Sequence, residues 1–353
     1  MLSRSNHFKL PTGILGAALS ETGDQLAAAC MDGVYLCDLK SKSHERIGRH
    51  STYASSVSFL PDNGLVSAGY DGQLQWFHQT DRQRRRQLQL HEFWSWDMAV
   101  SPDRTLIASV TGQYLAGGYK YEPLPEREPS VRIVSAATSE VLHSLSHVPS
   151  VQAVAFSPDG RFLAAGNLMG EVRIWDAASG KQVAGFTTPD FTSWGIIKSH
   201  CYLGGIFAMV FTPDGKELLL AGMGPMRDPM AGNGKQLWQK WAWQEQPARM
   251  IDQTHEGESG EGLMETLAIH PDGQLFAMGG RLRGGDWNLA MFELSSGKRT
   301  DTLKTGYRIT EALFTADGSQ LILTGTQGQP KPDNTGTSEP FGRIEVYNLS
   351  NPD

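Results

Sequence analysis

The dominant order in this chain is a short apolar run, a tight turn and a second apolar run, repeated along its length. The phrase occurs as ALSETGDQLAAA (18–29), VSFLPDNGLVSAG (57–69), MAVSPDRTLIAS (98–109) and VAFSPDGRFLAAG (154–166). It continues as MVFTPDGKELLLAG (209–222), LAIHPDGQLFAMG (267–279) and ALFTADGSQLILTG (312–325). Self-similarity of this kind marks a ring or stack of equal units. Pro presets φ for the turn, while Asp and Gly supply local hydrogen bonds and tolerate positive φ. Each copy therefore predicts a β-hairpin.

A third apolar strand follows each hairpin. The clearest is GEVRIWDAASGK, with Trp175 and Asp176; others are VYLCDL (34–39), QLQWFH (73–78), VRIVSA (131–136), LAMFEL (289–294) and IEVYNL (344–349). In the fifth unit QLWQKWAW (236–243) takes this place. A more polar fourth strand comes next, as in KQVAGFTT (181–188). Seven units of four short antiparallel strands predict an all-β, seven-bladed β-propeller. The last unit runs out near Leu349 one strand short, while SNHFKLP (5–11) is left over at the start. The N-terminal strand is therefore expected to pair with the last blade and close the ring, leaving no complementary open edges. The expected division of 1–353 is a closing strand at 1–11, then blades at about 12–49, 50–90, 91–146, 147–188, 189–254, 255–305 and 306–350.

These units resemble WD40-repeat propellers, whose repeat runs from a His before the first strand to Trp-Asp at the end of the third. His50 precedes Trp76, and His147 precedes Trp175 and Asp176, at similar separations. The resemblance implies that His50, Ser67, Asp71 and Trp76 form the structural hydrogen-bonded tetrad of that family. His91 and His147 stand before first strands in the same way and read as structural. One unit keeps Trp-Asp intact, and the Gly-His pair survives only as GRH at 48–50.

Strands alternate in direction, so turns and connections alternate between two faces. The face with the SPDG-type turns is trim. The other carries the long connections at 111–130, 187–205, 222–235, 254–262, 280–287 and 325–342. Insertions crowding one face commonly mark the binding face of a repeat protein. Its candidate partner-binding residues are Tyr114, Tyr119, Trp194, Tyr202, Met226, Arg227, Arg281, Arg283, Trp287 and Phe341, residue types enriched in interfaces. On this reading blades 3 and 5–7 are elaborated and the first two are plain.

Aligning the first strands predicts a channel mouth of Leu15, Ser55, Trp96, Gln152, Phe207, Glu265 and Thr310, with Asp97 and Glu311 one step below Glu265. Three acids at different levels and no histidine do not predict a metal centre. His200 beside Cys201 lacks an orienting third residue, as nucleophilic catalysis would require. The glycine-rich loops match neither GxxxxGK[ST] nor GxGxxG before a helix.

Charge and composition narrow the partner class. Lys plus Arg number 31 against 38 for Asp plus Glu, a formal charge of −7, which disfavours nucleic acid. The basic run DRQRRRQ (81–87) reads as a solvated outer edge. Cys30, Cys37 and Cys201 form no disulfide framework, and no apolar run is long enough to span a membrane as a helix. The expectation is a cytoplasmic, non-catalytic scaffold without cofactors, binding a protein partner through the loop-rich face over blades 3 and 5–7. The alternative is a propeller that binds or hydrolyses a small molecule at the channel mouth.

Overall fold

The computed structural model describes residues 2–112, 125–191, 205–228, 233–260, 262–282, 285–328 and 339–349. An N-terminal strand, β1 (Leu2–Leu10), precedes blade 1, built of β2 (Ile14–Leu19), β3 (Gln25–Cys30), β4 (Gly33–Asp38) and β5 (His44–Gly48). Blade 2 is β6 (Ala54–Leu60), β7 (Gly64–Gly69), β8 (Gln73–His78) and β9 (Arg84–Gln89). Blade 3 is β10 (Ser95–Val100), β11 (Leu106–Thr111), β12 (Val131–Ser135) and β13 (Val141–Leu145). Blade 4 is β14 (Val151–Phe156), β15 (Phe162–Asn167), β16 (Glu171–Asp176) and β17 (Gln182–Thr187). Blade 5 is β18 (Gly205–Phe211), β19 (Leu218–Asp228), β20 (Asn233–Ala242) and β21 (Arg249–Gln253). Blade 6 is β22 (Gly262–Ile269), β23 (Leu275–Leu282), β24 (Leu289–Glu293) and β25 (Arg299–Leu303). Blade 7 holds β26 (Arg308–Phe314), β27 (Gln320–Thr326) and β28 (Gly342–Leu349), with β1 as its fourth strand.

The hairpins form because the turn chemistry repeats. In blades 3, 4, 5 and 7 the hydroxyls of Ser101, Ser157, Thr212 and Thr315 donate to the Asp two residues on, at 2.5–2.8 Å. Gly23, Gly160, Gly215, Gly273 and Gly318 end these turns at φ of +70° to +73°, where a side chain is strained. Asn63 and Arg104 take the same left-handed place in blades 2 and 3.

Between every two neighbouring blades lies one apolar cluster. Leu10, Leu26 and Ile344 belong to the cluster between blades 7 and 1, Val57 and Leu65 to blades 1 and 2, and Trp76 and Ile107 to blades 2 and 3. The second strands are buried on both faces, so QLAAAC, LIASVT and FLAAGN read as nearly continuous small or apolar runs rather than alternating ones. Sheets meeting on both sides leave room for alanine where a one-sided sheet would carry a polar residue.

The expected ring closure is present. β1 pairs antiparallel with β28 from Leu2 against Leu349 to Leu10 against Gly342. The Arg4 guanidinium donates to Glu345 at 2.8 Å, and Glu345 also accepts the hydroxyls of Tyr347 at 2.5 Å and Tyr307 at 3.3 Å. The Asn6 side chain donates to the Leu39 carbonyl of blade 1, and the Leu2 amide to Asp301 of blade 6. One strand thus ties three blades together.

Two segments expected as loops are partly strand. Residues 222–235 largely extend β19 and β20 into a long hairpin, and β23 runs on to Leu282. The basic run is a tied outer edge. Arg82 donates to Glu45 of blade 1 at 3.0 Å, and Arg86 lies over the Trp76 ring while donating to the carbonyls of Ala136 and Ala137 in blade 3.

Deleting residues 2–10 removes this seal. Calorimetry should show a melting temperature lower by on the order of 10 °C, the shift expected when a chain of this size loses several kcal/mol.

Candidate functional site at the channel mouth

The seven first strands line the central channel, and each carries the same irregularity. The ladder to the second strand skips one residue in every blade: Leu15, Ser55, Trp96, Gln152, Phe207, Glu265 and Thr310. A bulge of this kind re-aims the unpaired side chain. All seven line a channel cavity of about 290 Å³. These are the positions that the aligned repeats select.

Below them the channel residues connect blade to blade. Asp97 of blade 3 accepts the Ser56 hydroxyl of blade 2 at 3.4 Å, the Val154 amide of blade 4 at 3.1 Å and the Met98 amide at 2.8 Å. Glu311 of blade 7 accepts the Thr266 hydroxyl of blade 6 at 3.4 Å. The Thr310 hydroxyl donates to the Ile14 carbonyl of blade 1 at 2.9 Å, across the ring closure.

Glu265 is held by Arg308 through two bonds of 2.5 and 2.6 Å. Among the described residues Asp97 and Glu311 have no such cation. Burial pushes Asp97 up to about 6, against the pull of its hydrogen bonds. Burial together with the Asp97 charge pushes Glu311 up to about 8. Both acids stand one step below Glu265, as the aligned repeats place them, on blades 3 and 7, and the Asp97 charge acts on Glu311 through the channel. Among the described residues no group of three or more His, Cys, Asp or Glu is placed to hold a metal ion.

Around the mouth stands an aromatic cluster. Tyr70 and Trp94 stack at 4.9 Å and 10°, Phe93 and Trp94 at 5.0 Å and 15°, and Trp96 meets Tyr70 and Trp94 edge-on. Tyr53 joins at 5.9 Å from Tyr70. Tyr53 and Trp94 remain 45% and 40% exposed, large apolar surface left to solvent. Tyr53 and Tyr70 sit on short connections leading into and within blade 2, so part of the shelf lies on a blade without a long insertion. Glu128 fixes the shelf, accepting the Glu92 and Phe93 amides at 2.8 and 3.1 Å and the Arg132 guanidinium at 3.2 Å. Glu126 accepts the Ser130 and His147 amides at 2.8 and 2.7 Å. Each Glu binds a near neighbour, Ser130 or Arg132, but its contacts to His147 or to Glu92 and Phe93 reach 21 to 36 positions along the chain and carry no local sequence signal.

Of the sequence-selected partner-binding residues, Tyr114, Tyr119, Trp194, Tyr202 and Arg283 lie outside the described residues, as do the side chains of Met226 and Arg227. Arg281 is exposed and Phe341 half-buried. Trp287 is corrected: it is 5% exposed, packed between blades 5 and 6 with Arg299 over its ring at 5.6 Å. An indole following a glycine-rich turn found the adjacent blade rather than solvent.

The tetrad is corrected in one member. His50 bonds Asp71 through Nδ1 at 2.9 Å and Ser67 through Nε2 at 2.8 Å. Trp76 pairs with Val66, whereas Ser67 pairs with Gln75, so Trp76 points to the opposite face of the sheet. Phe77 pairs with Leu65 just as Trp175 pairs with Leu163, and a phenyl ring has no N–H to donate. Blade 3 repeats part of the arrangement, with His91 Nε2 to Ser109 Oγ at 3.0 Å and Nδ1 3.8 Å from Glu128. In blade 4 both His147 nitrogens meet backbone carbonyls, of Val148 at 3.1 Å and Ala165 at 3.2 Å. Burial pushes His91 down to about 3 and His147 down to about 4, which suits structural imidazoles.

The raised Glu311 carboxyl has a measurable consequence. Its ordinary value is 4.5 and its folded value about 8, so between these the native state holds a proton that the unfolded chain releases, and stability falls as pH rises. Glu311→Gln does not titrate. Its melting temperature should exceed that of the wild-type chain by a margin that widens from about pH 4.5 to about pH 8, followed by calorimetry across that range.

Comparison with known proteins agrees with this architecture. The family pattern described as "WD domain, G-beta repeat" matches residues 139–176, which span β13 to β16 and end on Trp175-Asp176. The chain is 26% identical over 169 residues to telomerase protein component 1 of Mus musculus, covering 47% of this chain and 6% of that protein. It is 27% identical over 175 residues to apoptotic protease-activating factor 1 of Rattus norvegicus, covering 49% and 12%. It is 34% identical over 73 residues to actin-interacting protein 1 of Drosophila melanogaster, covering 21% and 10%. The matches thus span only 6 to 12% of these relatives' own lengths. Seven four-stranded blades with hairpins of one design make the chain a seven-bladed β-propeller, and one of its repeats, offset by one strand from the blade it builds, matches the WD40 pattern.

Proposed function

We propose that this propeller is a non-catalytic scaffold that binds a protein partner through its connection-bearing face. The observation that carries the reading is the aromatic shelf at the channel mouth. Tyr53 and Trp94 expose large rings while stacked partners and the Glu128 grip on the Glu92 and Phe93 amides hold them in place. Preordered, half-exposed aromatics bind with little loss of conformational freedom and are common interface hot spots. The shelf extends the proposed contact region from blades 3 and 5–7 round to blade 2. The similarity to WD-repeat proteins supports the general role, and one relative's name describes it as interacting with actin. No partner identity is carried over. A ligand inside the channel is a second reading, favoured by the carboxyls of Asp97 and Glu311 that face into it.

The double substitution Tyr53→Ala and Trp94→Ala should leave the melting temperature within about 2 °C, since both rings are far from the inter-blade cores. It should weaken capture of the partner from native lysate by about tenfold or more. Capture at wild-type strength would move the interface off this shelf.

A further inference from the structure

The channel holds more hydrogen-bonding capacity than the protein uses. Ser55 is 5% exposed and lines the channel, and its hydroxyl has no partner among the described residues. Glu311 receives one described hydrogen bond, from Thr266 at 3.4 Å, although a carboxylate can accept about four. Glu265, nearer the mouth, is already neutralised by Arg308. The acid groups that no described cation compensates are therefore Asp97 and Glu311. The way in passes Tyr70, Trp96 and Phe207, which line the same cavity. Aromatic faces attract cations, and more strongly where water is excluded.

We propose that the channel is a binding site for an organic cation, an alkylammonium or guanidinium group that passes Tyr70, Trp96 and Phe207 and is held by Asp97, Glu311 and the Ser55 hydroxyl. Its N–H groups donate to the carboxylates and to Ser55 Oγ. An anion is repelled by the carboxyls, and a neutral molecule leaves their charge uncompensated. Among the described residues no third His, Cys, Asp or Glu joins the two carboxyls to make a metal-holding group. The cavity, about 290 Å³, suits the end of one side chain or a small amine. The proposal rests on the mouth face being the one that meets ligands. The cation's source is either a small molecule or a lysine or arginine of the partner.

Binding also moves a proton. Near neutral pH Glu311 holds one, because Asp97 opposes its ionisation across the channel while Thr266 is its only described donor. Ser56 and the Val154 and Met98 amides satisfy Asp97, and the Glu265–Arg308 pair stands nearer the mouth. A bound cation favours the carboxylate, and the proton passes to the buffer.

The test is calorimetric titration of the full chain with methylguanidinium and n-butylammonium chlorides, against methylurea and 1-butanol as neutral counterparts. The cations should bind and the neutral molecules should not. The heat at pH 7 should differ between phosphate and Tris by the difference in the two buffers' ionisation enthalpies multiplied by the number of protons released. Glu311→Gln resembles the protonated acid in shape and should fold while losing about tenfold or more in affinity, the loss expected when a charge-assisted partner is removed. Ser55→Ala breaks no side-chain hydrogen bond among the described residues and should weaken binding severalfold; it serves as the second variant if Glu311→Gln does not fold. Short peptides carrying one lysine or arginine, compared with norleucine or citrulline versions, separate the sources. Tighter binding of the cationic peptide than of the free cation assigns the group to a partner, and the reverse assigns it to a small molecule. Equal binding of cations and neutral counterparts, or unchanged affinity in the variants, overturns the proposal. If that happens while the Tyr53 and Trp94 substitutions still abolish partner capture, the scaffold reading stands without it.

Discussion

Every blade of this propeller has two apolar faces, and neither can be kept from water until the ring is complete. The second strands show the constraint directly: Ala27 to Ala29, Ala164 and Ala165 are fully buried although they point alternately to both sides of their sheets. A blade cut from the ring would expose both faces at about 25 cal/mol for each Å² of apolar surface. Closure is therefore a condition of stability for all seven inter-blade clusters, and the chain meets it with β1. The seal is stitched as well as zipped. Arg4, Asn6 and the Leu2 amide reach Glu345, Leu39 and Asp301, so the terminal strand holds blades 6, 7 and 1 in one arrangement.

Near the axis the packing problem changes from apolar to polar. First strands converge there, with carbonyls and amides of neighbouring blades close enough to need partners. Asp97, Thr266, Thr310 and Glu311 supply them across blade boundaries. The bulge that recurs in all seven first strands turns one residue per blade into the channel, and in blades 2, 3, 6 and 7 the next residue bonds sideways. The geometry that knits the ring thereby also concentrates charge within it. Two carboxyls line the same channel, and burial together with the Asp97 charge keeps Glu311 protonated near neutrality. A buried acid pair destabilises an otherwise well-satisfied ring. Such local conflict is expected where a fold serves a ligand rather than its own stability.

The mouth couples this axis to the surface. Tyr70 and Trp96 line the channel and also stack within the shelf that ends in the exposed rings of Trp94 and Tyr53. Glu128 reaches from the returning limb of the longest connection in blade 3 to hold the segment beneath Trp94. Glu128 of blade 3 thus positions aromatics that belong to the preceding inter-blade connection.

What the amino-acid sequence determined by itself is the repeat and everything local to it. Turn hydroxyls, Asp and a left-handed residue act within about five positions of one another, so seven hairpins, their strand order and the seven channel positions are legible from alignment of the copies. The missing strand at one end and the spare strand at the other predicted the closure for the same reason: strand counting is one-dimensional. Tertiary structure decided what depends on side-chain direction and on distant neighbours. A shift of one residue moved Trp76 to the far face and put Phe77 in its place, because strand side chains alternate with period two. Trp287 went into a core because blade 5 stood beside it. Asp97 and Glu311, more than two hundred positions apart, came to act on each other only when the ring set blades 3 and 7 around one channel.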